Sequence, residues 1–247
     1  VVGKGGAGKS VIAGTMARVL AREGGRVLAL DSDLLPGLSL SLGAGPDPRP
    51  PPLREAAEKD ENGRWRLKKG IGPVRAVTRY ATDAPDGIRL LQAGKTPHEG
   101  LEPIMGAVNA YYRVVHRLDR APTFDDWDLI GDLPAGPRHV AFGWAPYAET
   151  FVAVVQPTVQ SALAARRVVR IARMREGARA LFVANRVTGA ADIRHVEKLV
   201  GESVLAAVPA DEGVARAERL GIAPIDHAPA SPAVAEIERL VAALAGG

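Results

Sequence analysis

The chain of 247 residues contains no cysteine, which excludes disulfides, thiolate-held metals and iron–sulfur ligation by this chain. It also lacks any run approaching the length of a membrane-crossing helix, and the reading is of a cytoplasmic protein. Histidine is sparse. His98, His116, His139, His195 and His227 are scattered, with no two at metal-ligand spacing on a common helix face, and they are read as ordinary surface or core residues. Charge shows little excess of one sign: 32 Lys and Arg face 28 Asp and Glu, a net +4 that permits nucleic-acid contact without requiring it. No internal repeat is present. The length suits one large core, and the expectation is a single domain over residues 1–247. Val1-Val2 is short for a first strand, so a few residues are expected to precede it.

The most informative stretch is Gly3-Lys4-Gly5-Gly6-Ala7-Gly8-Lys9-Ser10. It fits the phosphate-loop pattern, in which glycines let successive backbone N–H groups turn around an anion, a lysine reaches the β- and γ-phosphates, and a hydroxyl meets Mg²⁺. Its neighbours agree with it. Val1-Val2 reads as the end of a strand, and Val11 to Arg22 has helical spacing, so a helix N-terminus points its dipole at the phosphates. The nucleotide cradle is thus Gly3, Lys4, Gly5, Gly6, Ala7, Gly8, Lys9, Ser10 and Val11.

The generic motif does not need Lys4. With it, Lys4 to Ser10 resembles the deviant phosphate loop of the MinD/ParA class of dimeric ATPases. That resemblance implies an ATP-dependent homodimer in which Lys4 reaches across to the partner's nucleotide, where a cation can match charge on the transferring phosphoryl group.

Apolar runs at Arg26 to Asp31, Ile88 to Gln92, Trp127 to Gly131, Phe151 to Val155, Ala180 to Asn185 and Val204 to Val208 read as buried parallel strands. They alternate with helix patterns at about Leu101 to Arg120, Val159 to Glu176, Ala190 to Val200, Asp211 to Leu220 and Pro232 to Ala245. The fold class is α/β: a doubly wound, mostly parallel sheet flanked by helices, a P-loop NTPase with its ligand at the C-terminal strand ends. From Gly45 to Gly87 the pattern weakens into a Pro-rich and then charged segment, read as an elaborated, partner-facing connection. The last helix places Val234, Ile237, Leu240, Val241 and Leu244 on one stripe; Glu236 and Glu238 argue for docking on the body rather than a membrane anchor.

Asp31-Ser32-Asp33 ends the second strand, and Trp127-Asp128-Leu129-Ile130-Gly131-Asp132 ends another in an acid, followed by Leu133-Pro134-Ala135-Gly136. By the resemblance Asp33 is the switch I aspartate acting on the attacking water, Asp31 supports the metal's water shell, and Asp132 is a Walker B acid holding Mg²⁺ through water. Gly136 would let a backbone N–H swing toward the γ-phosphate. A helix cap or solvated turn is the competing account of the acids. Asn185 is expected to end the sixth strand, in Phe182-Val183-Ala184-Asn185-Arg186, where its carboxamide suits a purine edge, and Pro209-Ala210-Asp211 resembles the family's second base-side segment, favouring ATP over GTP. Catalysis is accordingly assigned to Lys4, Lys9, Asp33 and Asp132, metal binding to Ser10, Asp31, Asp33 and Asp132, and base contacts to Asn185, Pro209 and Asp211.

Several further phrases resemble the carbon monoxide dehydrogenase maturation ATPases, including Asp86 to Leu91 with Gly94-Lys95, Arg138-His139 after Gly136, and Gln156-Pro157-Thr158 with Ser161. Those ATPases carry a metal-binding Cys-x-Cys pair, whereas the stretch around Gly100 to Met105 has no thiol. Three functions follow: a nucleotide-switched homodimer that remodels or loads a client protein; a ParA-like positioning ATPase binding DNA without sequence preference through Arg166, Arg170 and Arg173; and an ATP-sensing subunit with little turnover. A departure at Leu34-Leu35 before Pro36 bears on the switch I backbone.

Overall fold

The computed structural model describes residues 1–34, 37–45, 52–94 and 102–246, with no side-chain detail at 52, 102 and 103. The expectations that rest on Leu35 and Pro36, on Arg49 to Pro51, and on Lys95 and Gly100-Leu101 lie outside those residues.

The strands are β1 (Val2–Gly3), β2 (Arg26–Asp31), β3 (Ala57–Lys59), β4 (Trp65–Leu67), β5 (Thr82–Asp83), β6 (Arg89–Gln92), β7 (Trp127–Asp132), β8 (Thr150–Val155), β9 (Arg179–Val187) and β10 (Ala206–Pro209). The helices are α1 (Lys9–Arg22), α2 (Gly37–Leu42), α3 (Pro73–Tyr80), α4 (Glu102–Val115), α5 (Arg138–Ala141), α6 (Val159–Ala172), α7 (Ala190–Val200), α8 (Glu212–Leu220), α9 (Pro224–His227) and α10 (Pro232–Ala245).

Two four-stranded sheets, β1-β8-β9-β10 and β5-β6-β2-β7, pair in parallel throughout except at the β5 edge. Their inner edges meet where the Leu133 amide donates to the Val1 carbonyl at 3.1 Å and the Gly136 amide to the Gly3 carbonyl at 3.2 Å. The expected doubly wound sheet is what forms. Val27, Leu28, Ala29 and Leu30 of β2 are all buried, because helices cover both faces and leave no position for a polar side chain.

On one face α1, α2 and α10 pack, with Ile12, Met16, Val234, Ile237, Leu240 and Val241 buried. The apolar stripe of α10 is therefore spent on the core. Ser231 starts that helix by accepting from the Ala233 and Val234 amides at 3.1 and 3.3 Å, with Pro232 at the first helical position. On the other face lie α4, α6 and α7, and Thr158 caps α6 by accepting from the Ser161 amide.

Several regions differ from expectation, among them the helix expected to reach Glu176, which ends at Ala172. The helix expected to run to Arg120 ends at Val115, since Arg117 leaves helical geometry and two 3₁₀ turns follow at 118–120 and 122–124. The described part of the weakly patterned connection is folded: a 3₁₀ turn, the β3–β4 hairpin and α3 bury Leu53, Ala56, Ala76, Val77 and Tyr80 beside α4. Trp65 of the hairpin lies flat on α4 at Gly106, where a Cβ would stand 2.9 Å from the indole.

Candidate nucleotide site

The C-terminal ends of β1, β2 and β7 lie side by side, bringing Gly3 to Ser10, Asp31 to Asp33 and Asp132 to Gly136 to one place. The loop turns on left-handed glycines. Gly8 has φ 93, and a Cβ there would collide with the Asn185 carboxamide. At Gly3 (φ 147) a Cβ would stand 2.7 Å from the Val154 carbonyl oxygen of β8. α1 begins directly after, with no side-chain cap and no acidic residue in its first turn. Its first amides are open to an anion, and its dipole favours one there.

Polar contacts brace the loop from within. The Lys4 carbonyl accepts from the Ala7 amide at 3.2 Å and from Lys9 Nζ at 3.4 Å. Lys9 is buried to 8% exposure, so its ammonium is held inside the loop, while Lys4 itself is half-buried. From below, Asn185 Nδ2 donates to the Ala7 carbonyl at 2.7 Å, and Gln156 Nε2 reaches the Gly6 carbonyl at 3.3 Å.

The acids divide into distinct environments. Asp31 and Asp132 face each other in register across β2 and β7 and are 0% and 2% exposed. Asp31 is fully engaged: Oδ1 accepts from the Asp33 amide at 3.2 Å and Oδ2 from Gln92 Nε2 at 3.3 Å. Burial first, and then the Asp132 charge, push its pKa well above the ordinary carboxylate value. Asp132 Oδ2 accepts from Ser10 Oγ at 2.5 Å, whereas its Oδ1 is buried with no hydrogen-bond partner. Burial raises the Asp132 pKa against the pull of that hydrogen bond and of Lys9.

An orphaned buried carboxylate oxygen is expensive unless a cation completes it. The Ser10 hydroxyl and Asp132 fit a hard dication. Such a site suits Mg²⁺, an ion that keeps several waters and takes few protein ligands.

Asp33 is half-buried; burial first, and then the Asp33 charge, raises the Tyr112 pKa to about 12, while at His139 burial outweighs the Asp33 charge and lowers the value to about 4. On the far side of the loop a pocket of about 530 Å³ is lined by Gly8, Val11, Asn185, Pro209 and Asp211 together. A register shift after Val208 pairs Pro209 with Val187 and leaves Arg186 bulged at φ 58, directly beyond Asn185. Asp211 caps α8 by accepting from the Val214 amide, and it accepts from Ser231 Oγ at 2.8 Å. Burial would raise its pKa, but these hydrogen bonds outweigh burial and lower it.

The model of the CobQ/CobB/MinD/ParA nucleotide-binding domain matches residues 1–225. The chain belongs to this family. Among relatives within reach of this MinD/ParA-type chain, the carbon monoxide dehydrogenase accessory protein CooC of Rhodospirillum rubrum is 27% identical over 241 residues, covering 93% of this chain and 90% of its own. The cell division ATPase MinD of Pyrococcus furiosus superposes with a TM-score of 0.72 at 22% identity, covering 100% of this chain and 96% of that one. MinD of Pyrococcus horikoshii, solved with Mg-ADP, does so at 0.66 and 19%, covering 98% and 92%. Both structures share the fold.

This MinD/ParA-family site also contains residues that sequence reasoning missed. Gln92 holds Asp31, and two adjacent tyrosines on α4 reach the loops: Tyr111 OH pairs with Ser32 Oγ at 2.9 Å and Tyr112 OH with His139 Nε2 at 2.5 Å. Only the position of Gln92 at the end of the strand beside Asp31 would have signalled it; the tyrosines sit in an apolar helical pattern that reads as core.

Proposed function

We propose that the chain is an Mg²⁺-dependent ATPase that works as an ATP-dependent homodimeric switch, remodelling or loading a client protein. The observation that carries this reading is the buried, unpartnered Oδ1 of Asp132 beside the Ser10 hydroxyl at the mouth of the loop. The Mg-ADP bound by the Pyrococcus horikoshii relative supports the same nucleotide chemistry.

In this reading the amides of Gly3 to Val11 surround the phosphates, with Lys9 balancing their charge. Ser10, and Asp132 through water, would hold Mg²⁺, which would supply positive charge to offset that of the phosphates. Asp33 orients the attacking water and takes up its proton. Lys4 extends to the nucleotide of a second copy. Asn185, Pro209 and Asp211 hold the adenine in the pocket beyond Gly8, and Asn185 has one donor already committed to the Ala7 carbonyl. The Gly136 amide leaves the Gly3 carbonyl to meet the γ-phosphate, which moves α5 with it.

Light-scattering mass with and without ATP and Mg²⁺, on the parent and on Asp33→Ala, tests the proposal. An ATP-dependent doubling is expected, prolonged in Asp33→Ala. A mass independent of nucleotide would remove the dimer switch and favour an ATP-sensing subunit.

The DNA-binding alternative has one observation in its favour. Arg166, Arg167 and Arg170 on α6 are exposed and, among the described residues, have no carboxylate partner, although Arg173 is committed to Glu202 at 2.6 Å. Binding to duplex DNA in ATP at low salt that falls steeply with added salt would support it, and absence of binding in every nucleotide state would end it.

A further inference from the structure

A cavity of about 940 Å³ opens beside Asp33. Its walls are Trp65 of the hairpin, Asn109, Tyr112 and Arg113 of α4, and Trp144 beyond α5. The Tyr112 and Trp144 rings are 5.3 Å apart, and the His139 ring stands edge-on to Trp144 at 4.8 Å, so one side is aromatic. The exposed side is cationic. Arg113, Arg117 and Arg120 all line the cavity, all are exposed, and among the described residues none has a carboxylate partner. Arg113 is already oriented, with Nε donating to Asn109 Oδ1 at 2.7 Å and a terminal nitrogen to the Trp65 carbonyl at 3.4 Å.

The cavity is also continuous with the nucleotide site. Ser32 and Asp33 form part of its wall, as does Pro134 of the segment leading to Gly136. Tyr111 binds Ser32 and Tyr112 binds His139, so one turn of α4 is fastened to the segments that follow both β2 and β7. A change in either segment alters the cavity, and by linkage an occupant of the cavity biases those segments.

We propose that this cavity is a docking site for an acidic segment of a partner protein that inserts an aromatic side chain, with an affinity set by the nucleotide state. Aromatic walls suit a planar side chain, and three guanidiniums with no carboxylate partner among the described residues suit the carboxylates flanking it. A nucleic acid fits less well, because the cations border a concave space rather than forming a continuous stripe along which a phosphate backbone could run. The nucleotide-dependent part rests on the switch reading above; the docking part does not.

The test is fluorescence anisotropy with a fluorescein-labelled peptide of glutamates around a central Trp-Leu pair, measured in ADP and in a non-hydrolysable ATP analogue. Controls are the lysine counterpart of the peptide and a labelled oligothymidylate. Saturable binding of the acidic peptide is expected, weakened about tenfold or more by Arg117→Glu with Arg120→Glu. The same charge change at Arg166 and Arg170, on α6, should leave it unaltered. Affinity should differ between the two nucleotides, and the peptide should shift the analogue's affinity by the same factor.

No saturable binding, equal weakening by the α6 pair, or tighter binding of the oligothymidylate would overturn the docking site. Peptide binding that depends on Arg117 and Arg120 yet is equal in both nucleotides would overturn its nucleotide control. Should the protein bind no ATP at all, the switch reading fails, while the peptide arm still decides the docking site.

Discussion

Replacing Asp226 by alanine should destabilise the fold more than replacing Arg18, the residue it binds, by methionine. The Arg18 side chain is 3% exposed. Its Nε donates to Asp86 at 2.6 Å, one terminal nitrogen to the Leu42 carbonyl and to Asp226, each at 2.8 Å, and the other to Asp226 at 2.8 Å. Arg22, on the solvent side, donates a further bond to each carboxylate, at 2.9 Å to Asp86 and 2.8 Å to Asp226. Asp226→Ala therefore leaves a buried guanidinium with two donors emptied. Breaking a buried pair this way costs roughly 3–5 kcal/mol, and the 38% exposure of the Asp226 side chain, which lets water in, places this case at about 3. Arg18→Met removes the buried charge itself, and both carboxylates keep Arg22 and water, so the loss should be about 1–2 kcal/mol. Urea unfolding of the two variants measures the difference directly. An Arg18→Met protein as unstable as Asp226→Ala, or more so, would refute the reasoning. The pH dependence is a second check. Burial works to raise the Asp86 pKa, but hydrogen bonds from Arg18 and Arg22 outweigh it and lower the value from 3.8. A carboxylate depressed in the folded state stabilises above its unfolded pKa and loses that contribution as pH falls through the folded one. The stability gap between the parent and Asp86→Asn should thus shrink below about pH 4, and a constant gap would contradict the assignment.

The site yields three more expectations. Asp33→Ala should keep ATP affinity within a few-fold while lowering turnover by about 10²-fold or more, read by phosphate release and equilibrium binding; normal hydrolysis would remove Asp33 from the mechanism. Lys9→Ala should weaken ATP binding by about tenfold or more, whereas Lys4→Ala should leave monomer binding intact and abolish the ATP-dependent rise in mass. Gly8→Ala places a Cβ on a residue at φ 93 and against Asn185, so it should destabilise by about 1–2 kcal/mol from backbone strain before any steric cost. Combining it with Asn185→Ala should relieve the steric part, and strict additivity in a double-mutant cycle would show that the two side chains do not meet.

Strands buried on both faces were legible because that environment leaves a continuous apolar run, as in Val27 to Leu30. The loop was legible because its glycines, Lys9 and Ser10 sit at fixed local spacing. The connection before Gly87 was not. Its hairpin strands are three residues each and α3 only eight, too short for a period to emerge, and they become stable by packing on α4, far along the chain. The contacts around the acids were illegible for a related reason. Ser32 meets Tyr111 across 79 positions, Asp31 meets Gln92 across 61, and Gly6 meets Gln156 across 150. Apart from Gln92, whose place at the end of the strand beside Asp31 is a signal, these residues have neighbourhoods that carry no trace of the partner. Asn185 shows the mixed case: its place in a buried strand was readable, but the strand runs on to Val187 instead of ending at Asn185, and the donor it commits to the Ala7 carbonyl was not legible.

The bond from the Gly136 amide to the Gly3 carbonyl bears on reversibility. An amide with no partner of its own would make phosphate binding strongly downhill and its release correspondingly slow. Here the amide already has a partner, so under the proposed mechanism its turn to a phosphate would exchange one hydrogen bond for another and leave only the difference between them, about 1–2 kcal/mol for a neutral acceptor traded for a charged one. A gap of that size changes a population ratio by roughly five- to thirty-fold. The segment would then sit near balance between its two positions, and hydrolysis of a single phosphoanhydride would be ample to tip it back.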